Sequence, residues 1–352
     1  MHESDSYLIG ALFDDYNTRK FADTFKKISS LIQAGRVNDA ITLYQEVASS
    51  LKQGVALRVV DIIKDTSRFD AYLEKCKDNS SYYVTTGFKE LDDVIGGFDR
   101  QEELATIVAR TGVGKSWTLL RCALASAQQG LNVGIYSGEM SENKVGYRID
   151  TLLGHISNGG IIHGNDMYEE QYRKYIESLP ELVTGSIKVI TPSMINGPAT
   201  VSALKTFIEK EHLDILFIDQ LSLLEDQRKG KSPVEKASNI SKDLKLLQVM
   251  SKIPIISVSQ QNRTSSENGV DTTQIAQSDR IGQDSTLIIF VEKKDNIMKL
   301  TLVKSRDSEN GKVLSYNVDL NRGQFVFIPS EGDQVSQEEI NSYNTSEDED
   351  YF

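Results

Sequence analysis

The chain has 352 residues, 39% hydrophobic and 26% charged, a balance that excludes a disordered polymer and fits a soluble globular protein. No apolar run approaches the roughly 18 residues of a membrane helix, and "MHESDSYLIG" lacks the basic flank and apolar core of a signal peptide, so a cytoplasmic protein is expected. A net charge of −12 argues against a nucleic-acid partner, yet residues 331–352 hold eight acidic and no basic side chains; without them the balance is −4, which leaves room for local basic surfaces.

Residues 1–80 read as helical. Phe21, Phe25, Ile28 and Ile32 recur at helical spacing up to Gly35, and Ala40, Tyr44, Val47 and Leu51 do so up to Gly54. A small bundle or hairpin and an oligomerisation collar or docking arm are equally open. From residue 81 short apolar runs alternate with helical stretches: "LATIVA" (104–109), "NVGIY" (132–136), "IKVIT" (187–191), "DILFID" (214–219), "PIISVS" (254–259) and "TLIIFV" (286–291). Continuous apolar runs mark strands buried on both faces, and the alternation predicts an α/β fold with a mostly parallel sheet flanked by helices. "IMKLTLVKS", "VLSYNVDL" and "QFVFI" predict a C-terminal β-meander at the sheet edge, and residues 331–352 an acidic, disordered tail. Cys76 and Cys122 have no pairing spacing, and the four histidines are scattered, so neither a disulfide nor a zinc site is expected.

The chemistry concentrates in a few stretches. "ARTGVGKS" (109–116) lies between a strand and a helix, the context of a phosphate-binding loop. Ala109, Arg110, Thr111, Gly112, Val113, Gly114, Lys115 and Ser116 would cradle the phosphates. Lys115 would reach the β- and γ-phosphates and Ser116 would ligate Mg²⁺. Ala109 stands where the general pattern has glycine, at a strand end where a negative φ suffices. Asp219 closes "DILFID" at the carboxyl edge of the sheet, where ligands bind, and is the natural partner of Mg²⁺ through water. Glu139 in "IYSGEM" could orient and deprotonate the attacking water or be a solvent-exposed strand-end side chain, and Gln260 in "ISVSQQNR" could sense the γ-phosphate or satisfy local backbone. Lys304 and Arg306 alternate along one expected strand, so both side chains would share a face, either a solvated edge face or one that suits a γ-phosphate bound by a neighbouring subunit.

In this order, "VTTGFKELDDVIGGF", "ARTGVGKS", "SGEM", "LFIDQLSLL", "PIISVSQQNR", "IGQDSTLIIFV" and "KSR" resemble the RecA-like ATPase domain of DnaB-type replicative DNA helicases, over roughly residues 82–328. The alanine-arginine start of the loop matches that family. The resemblance implies a RecA-like P-loop core, ATP and Mg²⁺ as cofactors, Glu139 as catalytic base, Gln260 as sensor, and Lys304 and Arg306 acting in trans. It also implies a homo-hexameric ring moving 5′ to 3′ on single-stranded DNA, with a primase, a helicase loader or a single-strand-binding protein as partners. Two features depart from the family. The region before residue 82 is shorter than the usual primase-contacting domain, so a reduced collar is expected, in keeping with a phage or plasmid origin. "TTQIAQSDR" replaces the usual DNA loop.

Channel loops are expected after the Asp219 and Gln260 strands, with Arg228, Lys229 and Lys231 in the first and Arg263 and Arg280 in the second as DNA-binding cations. "EDEDYF" at the end is either solubilising or a docking peptide. A RecA-like recombinase or regulatory ATPase that binds DNA without unwinding it is the alternative. The "SGEM" glutamate and the Lys304/Arg306 pair favour the helicase.

Overall fold

The computed structural model describes residues 19, 22–51, 60–165, 169–261, 279–306 and 308–329. The chain divides into two compact units between Tyr72 and Leu73; the boundary read from sequence lies at residue 80. In the first unit, helix α1 covers 22–33 and turns at Gly35, whose φ is 76°, into α2 (Val37–Leu51). Ala40 is buried here, while Phe25, Ile32, Ile41 and Tyr44 stay largely exposed. Helix α3 (Ser67–Lys77) spans the division.

In the second unit a two-residue strand, β1 (Tyr83–Val84), pairs antiparallel with β2 (Phe98–Asp99) around α4 (Lys89–Ile95). Asp92 organises this entry segment: its carboxylate accepts from the backbone N–H of Thr86 at 2.9 Å and the Thr86 hydroxyl at 2.6 Å. The main sheet has nine strands in the order β11-β10-β9-β8-β3-β7-β6-β4-β5. They are β3 (Leu104–Ala109), β4 (Asn132–Ser137), β5 (Ser186–Ile190), β6 (Ile215–Asp219), β7 (Ile255–Gln260), β8 (Leu287–Lys294), β9 (Ile297–Lys304), β10 (Val313–Asp319) and β11 (Gln324–Ile328). Strands β8, β3, β7, β6, β4 and β5 run parallel, and β9 to β11 form the antiparallel meander. The α/β expectation therefore holds, with boundaries displaced by a few residues at most.

Every residue of β3 and β6 is buried, because helices cover both faces. On one side Ile107, Ile135, Phe217 and Val258 pack with α5 (Lys115–Gln128), α6 (Glu142–Gly154) and the meander. On the other, Val108, Tyr136, Ile218 and Phe290 pack with α9 (Val201–Glu211) and α10 (Pro233–Ser251). The remaining helices are α7 (Asn158–Ile162), α8 (Glu169–Leu182) and α11 (Asp279–Asp284). The chain passes from β3 to β4 across β7 and β6, which places the carboxyl ends of β3, β7, β6 and β4 side by side. Among the described residues no helix is long and apolar enough to cross a membrane.

Candidate functional site

The loop after β3 begins at Ala109, a fully buried strand residue whose carbonyl accepts from the Gln261 backbone N–H at 3.1 Å. Glycine is not needed there. It is needed at Gly112 and Gly114, where φ is 81° and 99°, a region that L side chains rarely adopt. A Cβ on Gly114 would also lie 2.8 Å from Met298 Cε, so the loop rests directly on the meander. Arg110 and Thr111 are exposed, while Val113 packs on the core. Helix α5 starts at Lys115 with no side-chain cap, which leaves its first N–H groups directed to the loop, a ready anion site.

Lys115 is buried, and its Nζ donates to Gln220 Oε1. Gln220 is buried too, and its Nε2 donates to Glu139 Oε1 at 2.9 Å. Glu139 projects from a turn built for close approach: Ser137 Oγ donates to the Met140 carbonyl at 2.8 Å, and the Gly138 N–H donates to the Asp219 carbonyl at 2.6 Å. A Cβ on Gly138 would meet Leu223 at 2.9 Å, so glycine lets the β4 end lie against the segment after β6. Ser141 then caps α6.

Asp219 is 2% exposed, and neither of its carboxylate oxygens accepts a hydrogen bond from a described residue. Burial raises its pKa; the Ser116 hydroxyl, near but without a well-formed hydrogen bond, and Lys115 oppose the rise without cancelling it. A buried carboxylate left without donors is a costly group in isolation and a fitting ligand for a divalent cation. With the Ser116 hydroxyl beside it, the donor set suits the Mg²⁺ expected from sequence.

Gln260 ends β7, opposite Ala109 in register, and its Nε2 donates to Thr111 Oγ1 at 2.8 Å. The side chain thus touches the phosphate loop. Lys304 is the last residue of β9, and its Nζ donates to the Gly282 carbonyl at 2.8 Å. The expected strand does not extend to Arg306. Ser305 N–H turns to Asn310 Oδ1 at 2.8 Å, so Arg306 lies in the following bend, exposed, and does not share a strand face with Lys304. Its charge still reaches Lys304 and Lys245: burial first, and Arg306 second, lower the pKa of both amines.

Among the expected DNA-contacting cations, Arg228 is tied to Asp243, with Nε donating to Oδ2 at 3.2 Å. Arg280 pairs with Asp284 at 3.0 Å. Lys229 and Lys231 are exposed around Gly230, and Asp226 holds this turn by accepting from the Gly230 N–H at 2.7 Å. Arg263 and the acidic tail lie outside the described residues.

Two members of the cluster carry no role in the sequence reading. Gln220 directly follows Asp219, and nothing in its local pattern marks it. Arg148 had a signal: it falls within the Val145–Ile149–Leu152 apolar stripe of α6, where a charge needs a reason. Its guanidinium lies 5.1 Å from the Trp117 ring centroid. Burial lowers its pKa, while Asp219 and Glu139 favour its charged form.

Residues 83–322 match the model of the DnaB-like helicase C terminal domain. The chain is 26% identical over 292 residues to the replicative DNA helicase DnaB of Geobacillus stearothermophilus, covering 79% of this chain and 63% of that protein. It is 27% identical over 259 residues to a probable plasmid replicative DNA helicase of Chlamydia psittaci, covering 72% and 55%. It thus spans about half to two thirds of the length of these relatives. Among solved structures, "The Structure Of A DnaB-Like Replicative Helicase And Its Interactions With Primase" is similar with a TM-score of 0.72 at 21% identity, over 90% of this chain and 77% of that one. A second solved structure, of an ATPase domain, is similar with a TM-score of 0.64 at 23% identity, over 76% and 100%. With the family model matched across most of the second unit, the chain belongs to the DnaB-like helicases through their C-terminal domain.

Proposed function

We propose that this chain is an ATP-dependent replicative DNA helicase, a homo-hexameric ring that moves 5′ to 3′ on single-stranded DNA and parts the duplex. The observation that carries the reading is the meeting of Lys115, Glu139 and Asp219 at the carboxyl edge of the sheet, within the segment that matches the family domain. Residues 109–116 hold the triphosphate, with Lys115 on its β- and γ-phosphates. Ser116 and Asp219 would hold Mg²⁺, which when bound offsets negative charge on the phosphates. Water oxygen bonds to the γ-phosphorus, the bond to the β,γ-bridging oxygen breaks, and ADP leaves with that electron pair while Glu139 takes the proton from the water. Gln260, in contact with Thr111, senses the γ-phosphate, and Lys304 and Arg306 act on a neighbouring subunit's nucleotide. Lys229 and Lys231 meet the DNA backbone directly; Arg228 and Arg280 do so after exchanging a carboxylate for a phosphate, and Arg263 joins them.

Residues 1–80 serve as a collar or linker, 81–330 as the motor, and 331–352 as an acidic tail. A primase, a loader or a single-strand-binding protein docks outside the motor, and the protein works in the cytoplasm. Unwinding of a forked duplex with ATP tests the reading. Lys115→Ala and Arg306→Ala each abolish unwinding and, mixed with the unaltered chain, poison it, because each interface shares parts. Full ATP-dependent unwinding by Arg306→Ala would remove the trans assignment.

A further inference from the structure

We infer that Gln220 is a positioning residue between the phosphate-binding lysine and the hydrolytic carboxylate, which sets the attacking water against the base once phosphate takes up the lysine. The inference rests on the nucleotide-hydrolysis reading above. The amide of Gln220 is engaged at both ends: Oε1 accepts from Lys115 Nζ, and Nε2 donates to Glu139 Oε1 at 2.9 Å. Glutamine suits this place because it offers an acceptor and a donor on one rigid plane; a carboxylate would lack the donor and a lysine the acceptor. Glu139 is otherwise exposed, and among the described residues Gln220 is the side chain that hydrogen-bonds it.

Lys115 donates here to a neutral amide oxygen. A phosphate oxygen carries negative charge, so Coulomb attraction to the Lys115 ammonium makes it a stronger acceptor than the neutral amide. Entry of a triphosphate therefore draws Lys115 off the amide. Gln220 Oε1 is left as a buried acceptor without a donor, a costly state. A water that donates to Oε1 and to the Glu139 carboxylate removes the cost, and is thereby held with its proton directed at the base. The same amide then positions the nucleophile beside Glu139.

The test uses the full chain with two readouts, ATP turnover and equilibrium binding of a fluorescent ATP analogue, on Gln220→Leu and Gln220→Glu. Leucine removes both bonds but keeps apolar bulk in a buried place. It should lower kcat about tenfold or more, while nucleotide binding stays at least as tight as before because Lys115 no longer has to leave the amide. Glutamate keeps an acceptor for Lys115 and adds charge facing the phosphates and Glu139, so it should weaken binding as well as turnover. Opposite effects on binding from one position are not what a simple loss of fold gives. A Gln220→Leu chain with kcat within about twofold of the original, or one that binds nucleotide as poorly as Lys115→Ala, overturns the inference. Glu139→Gln separates the two levels. Retained hydrolysis in that variant would overturn the base assignment itself, whereas its loss beside a fully active Gln220→Leu would overturn the bridge alone.

Discussion

Asp219→Asn should make the nucleotide-free protein more stable while ending its response to Mg²⁺ and ATP. The carboxylate is 2% exposed, and no described residue hydrogen-bonds either oxygen. Two effects compete when its charge is removed. The uncompensated burial cost disappears, and Lys115, Arg148 and Ser116 lose a favourable neighbour. The direction of the pKa decides between them: burial outweighs the favourable neighbours, so the charged form is on balance disfavoured. An unsatisfied buried polar group costs about 1–3 kcal/mol and a charged one more, whereas asparagine brings a neutral amide of the same shape. A gain of about 1–2 kcal/mol corresponds to roughly 2–4 °C in Tm for a domain of this size. The assay is thermal unfolding in EDTA and again with Mg²⁺ and a non-hydrolysable ATP analogue. The original chain should rise in Tm on adding both; the variant should start higher and rise little. If Asp219→Asn melts lower than the original in EDTA, the carboxylate is already satisfied within the protein and the argument for it as a waiting metal ligand fails.

Substitutions at three other positions probe separate parts of the second unit. Gly138→Ala places a methyl 2.9 Å from Leu223 and pushes Glu139 away from Gln220; turnover should fall at least about tenfold with nucleotide binding nearly unchanged, measured by kcat against Kd. Arg121 lies between Phe88 and Phe325 with its guanidinium 4.7 and 4.8 Å from the ring centroids, and Nε donates to the Gly87 carbonyl at 2.8 Å. Arg121→Ala should destabilise by about 2 kcal/mol, read from urea unfolding, with Arg121→Lys recovering less than half because it cannot stack as a plane. Asp150 is buried and accepts from Tyr172 Oη at 2.6 Å and Tyr175 Oη at 3.3 Å, with burial raising its pKa above the ordinary 3.8 despite both bonds. In the window just above 3.8 the folded state therefore holds more protons than the unfolded, so this group's contribution to stability falls as pH rises through the folded pKa. Asp150→Asn should flatten that part of a Tm-against-pH series.

The parallel sheet was legible because its strands are buried on both faces and so read as unbroken apolar runs. "LATIVA" and "ILFID" have every residue buried. The paired strands β1 and β2 were not, since two residues each are too few to show a period. Strand order was not legible either. That β7 lies between β3 and β6 is set by contacts between distant segments, and this placement is what brings Gln260 to Thr111. The error at Arg306 has a local cause. "LVKSRDS" alternates as a strand would, yet Asn310, five residues after Ser305, captures its N–H and turns the chain.

In the site, the residues with a fixed covalent neighbourhood were legible and those defined by their partners were not. Lys115 and Ser116 follow from a loop whose glycines need positive φ, and Asp219 from closing a buried strand. Gln220 becomes meaningful only when the ends of β3, β4 and β6 are set together, because its two partners come from two other segments of the chain. The arginines of the expected DNA loops show the same limit from the opposite side. Sequence counts Arg228 and Arg280 as available charge, but each is paired with a carboxylate, Asp243 and Asp284. A fully exposed ion pair is worth roughly 0.2–1 kcal/mol; with the carboxylates only 22% and 10% exposed, these pairs set at least that against a phosphate contact and lower its affinity severalfold or more. If the proposed ring forms, six copies of such a loop around one strand would multiply that small difference, and the salt dependence of DNA binding would depend on Asp243 and Asp284 as well as on the cations themselves.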